Sequence, residues 1–365
     1  MSPSWLAANP RTSRRESYGP VQRAVIDPDR VPDVGALLHD EQGSTPLLAL
    51  PALAQRLGVG EIRVKDESQR LGFGAFKALG GVFAVHEYVR AHSERKPAEI
   101  VFATASSGNH GRSVALGARS VGARCVIFLP RFTSAGKEAA IRALGASVIR
   151  IDGDYDTAVA ACRSRALEQG WTIISDTSWE GYEDVPKTVM RGYTVLARET
   201  VEQWPAAPTH VFVQAGVGGL AAAVIGYFWA VLPLRPVSIV VEPESADCWF
   251  QSNLAGIPAL AQGNAETLMG GLACREISPV TWPVIGVGAD WFMTISEDSV
   301  LPARKQFAHP LEGDPTIISG SSGCAGLAAL MRVSGDSPAF SAIGLDKKSR
   351  VLLINSEGNL GEGTA

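Results

Sequence analysis

The stretch Val64-Lys-Asp-Glu-Ser-Gln-Arg-Leu-Gly-Phe-Gly-Ala-Phe-Lys-Ala-Leu-Gly-Gly81 decides how the rest of the chain is read. Glu61 to Asp66 mixes apolar and charged residues and reads as the end of a strand. The chain then passes Gly72 and Gly74 and reaches Phe76-Lys77 at a helix start. A lysine flanked by Phe76, Ala78 and Leu79 lies on a mostly apolar face, where burial disfavours the ammonium form. Such an amine is suited to forming a Schiff base and to acting afterwards as a base. Taken alone, the lysine is better read as an ordinary surface lysine opening a helix. Lys65 competes for the role, but Asp66 and Glu67 beside it are expected to keep it charged and solvated.

Outward from this stretch the chain alternates helices with short apolar strands. Upstream, 51–57 reads as a helix and 41–47 as a loop, and residues 1 to about 35 form a polar, proline-containing arm. Downstream, helices over 80–92, 110–121, 135–144 and 157–168 lead to strands over 100–103, 125–130, 147–152 and 172–176. A longer helix over 186–201 follows, then a strand over 210–214, a helix over 220–231 and a strand over 238–241. A Gly-rich, irregular section covers 253–319, and the last strand is 351–354. Apolar runs of four to six residues between amphipathic helices indicate α/β architecture with parallel sheets covered on both faces.

The chain has 365 residues, 46% of them hydrophobic, which is enough for a large core and two subdomains. Its net charge of −4, with no basic stripe, argues against nucleic-acid binding. Cys125, Cys162, Cys248, Cys274 and Cys324 are scattered and odd in number, so they read as core residues in a reducing compartment, with no disulfide framework and no metal site. No signal peptide and no membrane-spanning apolar run is evident, and a cytoplasmic enzyme is expected.

Chemistry is expected in loops at the carboxyl ends of parallel strands. Thr104-Ala-Ser-Ser-Gly-Asn-His-Gly111 joins a strand to a helix, and its small residues let main-chain N–H groups approach an anion. Gln214-Ala-Gly-Val-Gly-Gly-Leu220 has three glycines in four residues and suits a phosphate cradle, although it matches neither the nucleotide P-loop nor the dinucleotide fingerprint. Asn355-Ser-Glu-Gly-Asn359 follows the last strand. Ser175-Asp-Thr-Ser-Trp-Glu-Gly-Tyr182 carries Asp176, Glu180, Trp179 and Tyr182, a set suited to a cationic amino-acid side chain.

The Lys65-Asp66-Glu67-Ser68 run followed by Phe76-Lys77 resembles the lysine segment of pyridoxal-phosphate enzymes of the tryptophan-synthase-β fold, fold type II. Asp176 to Tyr182, Met190-Arg-Gly-Tyr193, His110-Gly-Arg112, Val241-Glu-Pro-Glu244, Ala246-Asp-Cys248, Gly270-Gly-Leu-Ala-Cys274 and Ile317 to Gly323 are similar to the diaminopropionate ammonia-lyase family within it. The matches run from about Thr45 to Gly358. The resemblance picks Lys77 over Lys65 as the residue that carries pyridoxal 5'-phosphate. It implies that Asn109 bonds the ring hydroxyl and that Gly216, Val217, Gly218, Gly219 and Leu220 hold the phosphate. It further implies that Ser356 faces the ring nitrogen and that Ser106, Ser107, Gly108 and His110 form the substrate-carboxylate loop. His110 is expected to support that loop, not to act as a base.

The resemblance also implies the fold: two unequal subdomains, 1–81 with 196–365 and a smaller mobile 82–195, with the cofactor between them and a homodimeric assembly. It implies an α,β-elimination of a β-substituted amino acid, foremost L-2,3-diaminopropionate to pyruvate and ammonia. Lys77 would serve as base, and Asp176 as acid only if its pKa is raised. An L-serine/threonine-type dehydratase, a β-replacement synthase and a silent amino-acid sensor are the alternatives. One departure is notable: Ser107 stands where the family usually has an aspartate thought to serve the D-isomer, and a serine supplies no carboxylate there.

Overall fold

Short apolar runs become strands wherever both faces can be buried, and the computed structural model shows where that happens. It describes residues 3–12, 14, 16–38 and 43–359. Two positions of the loop expected over 41–47 therefore lie outside the described residues. The chain divides into two units, one made of residues up to Val31, Ser44–Phe76 and Leu196 onward, the other of 32–43 and Lys77–Val195.

The first unit is built on a seven-stranded sheet. Its strand order is Leu6–Ala8, Trp291–Ile295, Val237–Pro243, His210–Gln214, Arg350–Asn355, Glu61–Asp66, Leu47–Ala49. The five inner strands are parallel, with Leu353 level with both Val64 and Phe212. The two edge strands are short and antiparallel, which leaves little unpaired edge for another chain to extend. Strand His210–Gln214 is buried along its whole length, as an inner parallel strand must be. Helix Gly219–Val231 is apolar on nearly every side and is correspondingly buried. Helix Ala325–Ser334 places Leu327, Ala328 and Leu330 in one core cluster with Phe212, Ile239 and Leu353.

The second unit carries four parallel strands in the order Ser147–Ile151, Arg124–Pro130, Val101–Ala105, Thr172–Ile173. Local chemistry sets its helix ends. Asp154 accepts the Thr157 N–H to cap helix Tyr155–Gln169, which Gly170 ends in a left-handed turn (φ +64°). Helix Lys77–Ala91 packs against helix Asn109–Ser120, where a Cβ on Gly81 would overlap the Ser113 side chain. It also crosses helix Asp184–Gln203 where a Cβ on Gly80 would enter the Tyr193 ring and one on Gly192 would enter the Leu79 carbonyl. This close crossing seats Tyr193 beside Lys77.

The expected α/β class with mostly parallel sheets is what forms. The boundary expected at 81/82 falls at Phe76/Lys77, because the helix begins at Lys77 and packs as a whole inside the second unit. The arm joins the sheet: Leu6–Ala8 adds an edge strand to Trp291–Ile295. That inner strand, and helices Cys248–Ala255, Trp282–Gly288 and Val300–Ala308, occupy a region read largely as irregular. The strand expected over 172–176 stops at Ile173, where the chain leaves the sheet to carry Asp176.

Candidate active site

Within the second unit, Lys77 opens its helix with Nζ 2.5 Å from Asp176 Oδ2, both side chains about a fifth exposed (20% and 17%). Tyr193 presents its ring to the same ammonium, 5.7 Å from the centroid. His110 lies behind Asp176, its Nδ1 3.9 Å from Oδ2. Its Nε2 is 2.9 Å from the Ile174 carbonyl, which can only accept, so Nε2 carries the proton and Nδ1 a bare lone pair. Burial holds the imidazole below its ordinary pKa, so it is neutral near pH 7.

Burial alone would raise the Asp176 carboxyl, but the charges of His110 and Lys77 and the Lys77 hydrogen bond outweigh it. The carboxyl is held well below the ordinary carboxylate range. With His110 neutral near pH 7, Lys77 is the positive partner there. The raised pKa that an acid role for Asp176 requires is therefore absent in this state: paired with the ammonium, Asp176 is an acceptor.

The Thr104–Gly111 loop ends at the start of helix Asn109–Ser120. Ser106 Oγ accepts the Gly108 N–H at 3.3 Å. Ser106 and Ser107 are half-buried and Gly108 exposed. Asn109 is oriented by Arg112, whose Nη1 donates to Asn109 Oδ1 at 3.1 Å, so Nδ2 is the donor the amide turns elsewhere. The His110 ring is buried and committed to Ile174, which leaves its main chain as the part available to a ligand.

In the first unit the glycine loop follows strand His210–Gln214. Trp249 Nε1 donates to the Gly216 carbonyl at 2.9 Å, and the Ser278 N–H donates to the Val217 carbonyl at 2.9 Å. A trans peptide points its N–H opposite to its C=O, so the Val217 and Gly218 N–H groups face away from these partners. Gly218 adopts φ +103°, and a Cβ there would strike the Trp249 indole. Successive N–H groups at a helix start form an anion cradle.

Gln214 ties this loop to the last strand. Its Nε2 lies 2.9 Å from the Ile354 carbonyl, 3.1 Å from the Ser322 carbonyl and 3.0 Å from Ser356 Oγ. An amide nitrogen has two hydrogens and no acceptor site, so Gln214 Nε2 cannot take the proton of the buried Ser356 hydroxyl. That hydroxyl is free to donate to a neutral ring nitrogen. The Phe76 N–H donates to the Ser356 carbonyl, and Ala75 bridges to Glu357, so the segment that ends at Lys77 is zipped onto the Ser356 loop.

The segment that leads into Lys77 also carries a buried charge cluster. Arg70 forks onto Glu67 and Glu199 at 2.6–2.8 Å and onto Thr45 Oγ1 at 2.9 Å. Lys65, expected to be solvated, is instead fully buried, with Nζ 2.6 Å from Glu199 Oε2 and 2.6 Å from the Thr45 carbonyl. The chain leaves this cluster through the left-handed residues Leu71 (φ +54°) and Gly72 (φ +63°) and, after Phe73, Gly74 (φ +94°). The reading of loop Ser175–Tyr182 as a cationic side-chain pocket also fails. Glu180 is exposed, and Arg163 already covers the Trp179 ring at 3.5 Å.

Sequence reasoning passed over Tyr193, Gln214 and Arg70. Met190-Arg-Gly-Tyr193 was noted only as a motif, although Gly192 marks the helix crossing that places the ring. Among the described residues no group of three or more His, Cys, Asp or Glu side chains could hold a metal ion, and no helix is long and apolar enough to cross a membrane.

Residues 38–357 match the family model described as pyridoxal-phosphate dependent enzyme. The diaminopropionate ammonia-lyase of Escherichia coli (strain K12) is 38% identical over 335 residues, covering 86% of this chain and 84% of that protein. The crystal structure of the Escherichia coli diaminopropionate ammonia lyase with an aminoacrylate-PLP azomethine reaction intermediate superposes with a TM-score of 0.87. It is 34% identical and covers 98% of this chain and 94% of that one. The apo form of the Escherichia coli protein gives a TM-score of 0.79 at 31% identity over 98% and 93%.

Proposed function

Since the chain belongs to the family of pyridoxal-phosphate-dependent enzymes, on its diaminopropionate ammonia-lyase branch, we propose that it converts L-2,3-diaminopropionate to pyruvate and ammonia. The observation that carries this reading is the Lys77–Asp176 pair, an amine at a helix start held against a carboxylate. The protein is a lyase whose cofactor is pyridoxal phosphate. We place it in the cytoplasm as a homodimer acting on a small amino acid.

When bound, pyridoxal phosphate supplies the electron sink for negative charge at the substrate α-carbon. The N–H groups of Gly216, Val217, Gly218, Gly219 and Leu220 suit its phosphate, the Ser356 hydroxyl its ring nitrogen and Asn109 Nδ2 its ring oxygen. Ser106, Ser107, Gly108 and the main chain of His110 receive the substrate carboxylate at a helix start. Lys77 Nζ, in its neutral form, takes the α-proton. Asp176 Oδ2, within hydrogen-bond reach, stabilises the ammonium so formed, and Nζ delivers that proton to the departing β-amine. This order follows from the charge state: Asp176 stays ionised beside the ammonium, so the proton given to the leaving group is the one carried by Lys77. Ser107 offers no carboxylate to a substrate of the opposite hand, and turnover is confined to the L-isomer.

The test is product release by the cofactor-loaded protein offered L- and D-2,3-diaminopropionate, L-serine and L-threonine. Pyruvate from L-diaminopropionate, with little from the D-isomer, is the expected result. Turnover of serine or threonine alone overturns it in favour of the dehydratase reading, which the hydroxyl-bearing Ser106-Ser107 pair supports.

A further inference from the structure

Asp176 does not reach Lys77 from a strand. The sheet ends at Ile173, and the turn that follows must be held by something else. Tyr182 supplies the hold. Its hydroxyl donates to the Ile173 carbonyl at 2.8 Å and accepts the Ser175 N–H at 3.1 Å, spanning the turn just before Asp176. Ile174 is fixed as well: its N–H donates to the Ala103 carbonyl at 2.9 Å, and its carbonyl takes the His110 proton.

Tyr182 is itself braced. Its ring stacks on Trp179 at 3.9 Å with 8° between the planes. The Arg163 guanidinium lies 3.5 Å from the Trp179 centroid, necessarily on the opposite face. The two residues exchange main-chain hydrogen bonds of 2.9 and 3.3 Å around Gly181, whose φ is +77°. Burial pushes the phenol pKa up, so the hydroxyl keeps the proton it donates.

We propose that Tyr182 is the positioning residue of the site: by clamping Ile173 and Ser175 it holds the Asp176 carboxylate against Lys77, with Trp179 and Arg163 as its brace. The aromatic loop is thus a support for the carboxylate and not a subsite for the substrate. The inference rests on the proposed function only in naming Lys77 as the reacting amine.

The clamp is tested without substrate. The full-length protein is stripped of cofactor, a form in which the Escherichia coli relative crystallises. It is trace-labelled with acetic anhydride across a pH series, and labelling of Lys77 is followed by peptide mass spectrometry. Lys77 faces Asp176, with His110 behind it, and Tyr193. Asp176→Asn removes the charge that favours the ammonium, and the Lys77 labelling midpoint falls by about 1–3 pH units. Tyr182→Phe keeps the ring and its stack, and is expected to give roughly a third to a half of that shift, with no further shift when added to Asp176→Asn. In the loaded enzyme the same substitution lowers kcat with little change in KM. If Tyr182→Phe lowers thermal stability but leaves the Lys77 midpoint where it was, Tyr182 is structural only and the proposal falls. Should that variant fail to fold, Arg163→Met, which removes the outer brace, must shift the midpoint the same way. An unmoved midpoint there overturns the proposal equally. Because no substrate enters this measurement, it fails or succeeds apart from the turnover assay.

Discussion

Replacing Arg70 by methionine should cost more than any exposed charge change in this protein. Arg70 is 3% exposed and Glu67 fully buried. Glu199 is 4% exposed and Lys65 is sealed with them. Two cations face two carboxylates, and Arg70 alone places five hydrogen bonds of 2.6–2.9 Å. Burial works against its charge, but Glu67 and Glu199 outweigh burial and keep the guanidinium firmly protonated. Methionine fills much of the volume but leaves two buried carboxylates with Lys65 and the Thr45 hydroxyl in place of the guanidinium fork. Breaking such a set costs about 3–5 kcal/mol. Spread over an unfolding entropy of about 2.1 cal/mol/K per residue, this lowers the melting temperature by about 4–7 °C for a chain of 365 residues. Urea unfolding followed by circular dichroism measures the loss as a fall in midpoint at constant slope. Glu199 adds a pH signature. Burial raises its carboxyl, but Arg70 and Lys65 outweigh burial and lower it. The stability it contributes is therefore present above its unfolded pKa and is lost as pH falls through the folded value. In Arg70→Met that acid-side loss shrinks. Neutralising the whole cluster with Lys65→Met, Glu67→Gln, Arg70→Met and Glu199→Leu should recover much of the stability, because the loss lies in the orphaned charge. A fall below about 1 kcal/mol in Arg70→Met, the scale of a surface pair, would refute the reasoning.

Two further outcomes follow from the geometry. Glu242 is buried at the end of strand Val237–Pro243, its oxygens taking the Trp249 and Phe250 N–H groups at 2.8 Å, and burial pushes its carboxyl up to about 8. A raised acid contributes stability below its unfolded pKa and loses it as pH rises through the folded value, so unfolding free energy should decline as pH rises towards about 8. Glu242→Gln should lack that decline, and parallel pH curves for the two proteins would contradict the assignment. Gly80→Ala forces the helix crossing apart at Tyr193 and Val189 and should cost about 1–3 kcal/mol in thermal unfolding, whereas an unchanged midpoint would show that the crossing can relax.

The parts legible in the sequence were those governed by local rules. Alternating apolar runs and helices announced the parallel sheets, whereas Lys77 and the glycine loop, ambiguous as local patterns, were singled out by the family resemblance of their segments. Lys65 was misjudged because only Asp66 and Glu67 were in view, whereas its partner Glu199 comes from a distant helix. The charge state of Asp176 was equally out of reach, since it depends on three groups brought together by folding. Trp179 and Tyr182 looked like a binding surface because nothing near them in the chain shows Arg163 covering one ring and the sheet end claiming the other's hydroxyl. Strand Trp291–Ile295 was lost among glycines and prolines, although its register with Val237–Pro243 leaves no doubt once neighbours are known.

The pairing of the 74–76 segment with the 356–358 segment sets a timetable for the protein's birth. Strand Glu61–Asp66 and the Lys77 segment leave the ribosome early, yet their inner neighbour is strand Arg350–Asn355, and Asn355 grips Asp66 from 289 residues further on. Until that strand emerges, the sheet has a gap between His210–Gln214 and Glu61–Asp66, and Phe76 lacks the carbonyl that anchors it. The nascent chain can complete its smaller unit well before then, but it cannot present Lys77 in its final setting. Acquisition of catalytic competence is therefore a late event in synthesis. A chain cut short before Arg350 would be long, largely built and inert.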